Sequence, residues 1–97
     1  MPYISREERL KLDDCIDQIV QAILNVDENP QDLSNHLGRI NYCFSRIAGQ
    51  LMGHPSYKKI AMITGVLENI KQEFYRRVAS PYEEYKISEN GDIKEYV

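Results

Sequence analysis

The chain has no tryptophan and two cysteines, Cys15 and Cys43, which form no CxxC pair. That spacing excludes a disulfide framework and a motif-type zinc knuckle. No apolar run approaches the ~20 residues that span a bilayer. The best stretch, 60–67, includes Thr64 and Gly65, so no membrane association is expected. The opening Met-Pro-Tyr-Ile-Ser-Arg-Glu-Glu has no apolar signal core, and a cytoplasmic, non-secreted protein is expected. Glycine and proline are sparse, at five and four. With 42% apolar and 28% charged residues in 97, the chain reads as one small soluble globular protein, not a disordered one.

No single sign of charge dominates. The formal net charge is −3. Residues 82–97 carry that whole excess, so the first 81 are neutral. Within them, 5–29 is locally acidic and 55–79 locally basic. Opposite segments of this kind attract one another in the fold or across a dimer. A general nucleic-acid binder would be more basic.

What is present in quantity is helical periodicity. Ser5 with Glu8 three residues on is a capping box, and Leu12, Ile16, Ile19 and Ile23 follow at helical spacing. This predicts a helix over about 6–25. Asn29-Pro30 reads as a cap and first residue, and Leu33, Leu37, Ile40, Phe44, Ile47 and Leu51 form the cleanest stripe. The second helix is predicted over about 30–52, stopped by Gly53. The third runs from about 55 to 79 on Ile60, Ile63, Leu67, Ile70, Phe74 and Val78, ending before Pro81. Ser80-Pro81-Tyr82-Glu83 predicts a short further helical turn at a new angle. Asn90-Gly91 suggests a small hairpin, the alternative being a loose acidic tail. The expected fold is all-α, a three-helix bundle domain over 1–81 with an acidic extension at 82–97.

Some apolar residues fall off the main stripes: Leu10, Val20 and Leu24 on the first helix, and Met62 and Val66 beside Gly65 on the third. A second ridge beside a small residue suits a subunit interface. These six residues are the predicted oligomer contact, a dimer being favoured. Seven tyrosines add amphipathic contact area.

Candidate chemistry is incomplete. Asp13, Asp14 and Asp17 resemble one half of the carboxylate set with which all-α nucleotide hydrolases hold Mg²⁺. The other half is missing, since Glu68 and Glu73 diverge around the helix. Cys15, Cys43, His36 and His54 lack zinc-ligand spacing. No Gly-x-Ser-x-Gly is present. No catalytic residue, metal or cofactor is therefore assigned, and the balance leans against an enzyme while leaving the question open. The most suggestive local run is Phe74-Tyr75-Arg76-Arg77. Lys58 and Lys59 lie about 27 Å before it on the same helix, a line that phosphate or nucleic acid could follow. The competing reading pairs these arginines with helix-end carbonyls or with Glu73, Glu83 and Glu84. Asn41 and Glu73 are polar positions beside apolar seams.

The Met-Pro-Tyr-Ile start and the string EFYRRV..PYE.....ENGD (residues 73–92) resemble a family of short uncharacterised bacterial and phage proteins. The resemblance covers both ends, a third to a half of the chain. It implies a helical, non-secreted protein and carries over no active-site residue. It draws attention to Glu73, Tyr75, Arg76, Tyr82 and the Asn90-Gly91-Asp92 turn. The binding candidates are therefore Lys58, Lys59, Glu73, Tyr75, Arg76, Arg77 and Tyr82. The expected function is a self-associating protein-interaction or accessory module, with an unidentified protein as its further partner. The alternatives are a phosphate or nucleic-acid binder and a Mg²⁺-dependent nucleotide hydrolase.

Overall fold

The computed structural model describes residues 3–25 and 32–96. It is all-α: three long helices and a shorter fourth, with no strand among the described residues. The chain divides into two compact units, Met1–Leu51 and Met52–Val97.

The first unit holds α1 (Arg6–Leu24), a 3₁₀ turn (Leu33–His36) and most of α2 (Leu37–Met52). Ser5 caps α1 as its sequence position requires. Its extended backbone brings Oγ within 3.2 Å of the Glu8 N–H. The start of the second helix differs from expectation. Asn29 and Pro30 lie outside the described residues. Among those described, the cap is Asp32, whose carboxylate accepts from the Ser34 N–H at 3.1 Å and the Ser34 hydroxyl at 2.6 Å. Those two bonds hold the carboxyl of Asp32 below its ordinary range, the side-chain bond being the larger cause. A short acceptor reaching the N–H two residues on favours a tight turn over a full α-turn. The chain accordingly winds as a 3₁₀ turn before α2 begins at Leu37. Helix α2 runs to Met52, and Gly53 follows at φ +60. That left-handed geometry is open to glycine at little cost and explains the stop.

The second unit holds α3 (Tyr57–Phe74), a π-helical turn (Tyr75–Ala79), α4 (Ser80–Asn90) and a closing 3₁₀ turn (Lys94–Tyr96). Ser56 caps α3 through the Lys59 N–H at 3.2 Å. The expected break before Pro81 does not occur. Ala79 and Ser80 keep helical angles, and the Ser80 N–H donates to Tyr75 O, five residues back. A proline ring in a plain α-helix crowds the carbonyl four residues earlier, here Arg77. A turn holding one extra residue relieves that crowding, so the chain stays helical through the proline. The hairpin is likewise replaced. Asn90 is the last residue of α4, and Gly91, at φ +80, donates its N–H to Ile87 O at 2.8 Å. The positive φ that suits Asn-Gly to a hairpin serves a helix C-cap equally well. With Ile87 and Ile93 as the only described aliphatic side chains nearby, little favours strand pairing.

No apolar side chain among the described residues is buried in either unit; the single buried residue is His36.

Candidate functional site

In the first unit, α1 and α2 flank an apolar trough of about 350 Å³. Helix α1 supplies Ile16, Ile19, Val20, Ile23 and Leu24; α2 supplies Ile40, Cys43, Phe44 and Ile47. They combine residues of the main stripe of each helix with Val20, Leu24 and Cys43 beside it. Leu33 and His36 enter from the 3₁₀ turn between them. Val20 and Leu24, expected at an oligomer contact, line this trough; Leu10 does not and is 62% exposed.

His36 is fully buried. Its Nδ1 lies 3.3 Å from Nη1 of Arg39, and the same Nη1 donates to Asn35 O at 2.8 Å. A guanidinium can only donate. Nδ1 is therefore the acceptor, and the ring proton sits on Nε2. That Nε2 has no hydrogen-bond partner among the described residues. A buried donor without an acceptor costs about 1–3 kcal/mol, so an orphan here calls for an explanation. Sequence reasoning considered His36 only as a zinc ligand.

The second unit places polar groups around the π-turn. Arg76 pairs with Glu73 at 2.6 Å, and Arg77 reaches the same carboxylate at 3.8 Å. The Arg76 bond holds the Glu73 carboxyl below its ordinary range. The Tyr75 hydroxyl donates to Glu83 Oε1 at 2.8 Å, and that acceptor pushes the phenol up from its usual value. Both arginines thus turn to Glu73, the structural role weighed against phosphate contact. Lys59 donates to His54 O at 3.2 Å. Tyr82 stands apart, its ring 5.8 Å from Lys86 Nζ. The structure therefore gathers Glu73, Tyr75, Arg76 and Arg77 into one neighbourhood and leaves Lys58 and Lys59 near the other end of α3. Glu83, which the sequence offered only as an arginine partner, is the missing member.

Met62, Gly65 and Val66 do share a face of α3, in a shallow depression with Ala61. Met62 and Val66 are 60% and 59% exposed. A Cβ at Gly65 would meet nothing within 4 Å. Among the described residues, no three His, Cys, Asp or Glu side chains are grouped to hold a metal. Asp13, Asp14 and Asp17 thus gain no converging ligand from elsewhere. No helix among the described residues is long and apolar enough to cross a membrane.

No curated protein and no solved structure matches the chain. A family model does, over residues 1–93, and the chain belongs to that family, described as a domain of unknown function (DUF6899).

Proposed function

We propose that the protein is a self-associating helical interaction module, a dimer or larger, whose assembly covers the apolar faces of its helices. One observation carries this reading: every described apolar side chain is left unburied. Leu51 is 76% exposed and Phe74 64%. Burial of such residues is the main force that orders a chain, at about 25 cal/mol per Å² of apolar area. Helices shorter than a few turns are marginal in water without that burial. The principal contacts of the helical stretch 57–90 are between elements that follow one another in sequence, and its apolar stripe stays exposed along its length.

Two further features support self-association. Met62 and Val66 form a ridge off the main stripe of α3, so one packed face does not use up its apolar surface. Gly65 between them costs about 1 kcal/mol relative to alanine in a helix, and nothing near it in the chain requires a glycine. Close approach of a second helix would. The phosphate and hydrolase readings find less support, because Arg76 and Arg77 are engaged by Glu73 and, among the described residues, the aspartates of α1 gain no partner for a cation.

The test is solution mass by light scattering and sedimentation. The expected result is twice the 11.3 kDa chain mass or more. Met62→Glu with Val66→Glu is expected to return the assembly toward the single chain, since two charges buried without partners oppose association. A wild-type chain that stays at 11.3 kDa at high concentration, fully helical and cooperatively folded, would sink the proposal.

A further inference from the structure

We infer that the trough between α1 and α2 is a binding site for a small, uncharged, mainly aliphatic molecule carrying one carbonyl or hydroxyl oxygen, and that this oxygen accepts the Nε2–H of His36. This goes beyond self-association and does not rest on it. A volume of about 350 Å³ falls within the range of small-molecule pockets, which are mostly apolar with a few placed polar groups. The lining is aliphatic side chains, Phe44, Cys43 and the His36 ring; its open surface is apolar throughout, and the one polar group, Nε2, is covered until the lining moves.

The polar group is oriented. Arg39 holds Nδ1 as the acceptor, which fixes the proton on Nε2 and, by polarising the ring, makes it a better donor. Nε2 is covered and unpaired among the described residues, so it can exchange no bond with water. An acceptor brought in by a ligand would make a bond there without having to break one. The chemistry selects the ligand class. A molecule with no acceptor leaves the N–H orphaned. An ammonium presents only donors to a donor. A carboxylate would leave water for walls that, among the described residues, carry no charged side chain, which is costly. A neutral oxygen on an apolar body has neither defect. Leu33 and Phe44 of the lining are 63% and 56% exposed, so little packing resists their moving aside to admit it.

The experiment titrates the full chain with 2-octanone and, separately, with n-octane, an equally long body without an acceptor. Two signals are read: the methyl resonances of Ile16, Ile19, Ile40 and Ile47, and the imidazole nitrogens of His36. The expected result is saturable shifts at those methyls with 2-octanone, together with a displaced Nε2 signal. n-Octane should bind roughly tenfold more weakly, the scale of one buried hydrogen bond. His36→Phe should erase the difference between the two probes. Equal binding of both probes would overturn the inference, as would no saturable shift. So would a His36→Phe chain whose mass in solution falls while neither probe binds the wild type, because the occupant is then a second copy. If His36→Phe does not fold, the contrast between the probes and the Nε2 signal of the native chain decide alone.

Discussion

The two units distribute polar and apolar groups in opposite ways. In the first, two helices wall an apolar trough, and one buried imidazole nitrogen lacks a partner. In the second, the described depressions are shallow and partly polar, and polar side chains bond one another along the surface: Glu68 with Gln72 at 3.2 Å, Glu73 with Arg76, Tyr75 with Glu83, Tyr85 with Glu89. The contrast teaches where each unit can take a partner. The first offers an open apolar recess for something small. The second offers a long exterior face, tied together by bonds that solvent screens and that contribute little each. Its order depends more on what covers it.

The sharpest way to break this comparison is at Pro81, because proline within a helix is the costliest residue either unit carries. Pro81→Ala restores a backbone N–H and removes the ring that the extra residue of the π-turn accommodates. The expected outcome is a gain of about 1–3 kcal/mol in 52–97, read by denaturant unfolding, with the amide spectrum of 1–51 unchanged. A loss of stability would show that the proline is needed to hold the π-turn.

Next in size are the two serine caps, one per unit. Ser5→Ala and Ser56→Ala are each expected to cost about 1 kcal/mol. Amide exchange should quicken in the first turn of the affected helix. If Ser56→Ala loosens all of 57–90 while Ser5→Ala frays only the start of α1, the second unit is the more dependent on its ends, as an uncovered helix should be.

The smallest effects follow pH and should separate the units by direction. Asp32 in the first unit and Glu73 in the second both have lowered values. Their contributions are present above the ordinary carboxylate values, 3.8 and 4.5, and are lost as pH falls through the lowered ones. Tyr75 is raised above 10.0, so its contribution is complete below that value and is lost as pH rises through the folded one. Both units should therefore weaken slightly in acid, but the tyrosine's alkaline loss belongs to 52–97. Tyr75→Phe should remove that alkaline component in thermal melts and leave the acid side unchanged.

Much of this architecture was legible because its signals are local. Ser5, Ser56 and Gly53 act on backbone within a turn of themselves, and the stripes of α1, α2 and α3 follow from spacing alone. The features that were not legible depend on geometry that spacing does not carry. Pro81 is a stop signal in a plain helix, and only the extra residue in the preceding turn makes it a passenger. Tyr75 and Glu83 are eight apart, outside the three- and four-residue steps that mark helical neighbours. The burial of His36 arises where the 3₁₀ turn meets the trough, so its sequence position, one turn before Ile40, gave no hint of an orphaned donor. Asn90-Gly91 carries a true conformational signal, positive φ, that two different structures can use.

The π-turn has one more consequence. A helix is a screw, and each residue advances its thread by about 100°. A turn that holds one residue too many leaves everything beyond it rotated by that angle relative to an uninterrupted thread. Residues before 75 and after 79 therefore cannot be set on one helical wheel. The tyrosines at 82 and 85 occupy a sector of the surface that a simple count from Ile60 would give to their neighbours. A single-residue deletion within 75–79 would turn that whole end of the molecule, and with it whatever the end presents to the outside.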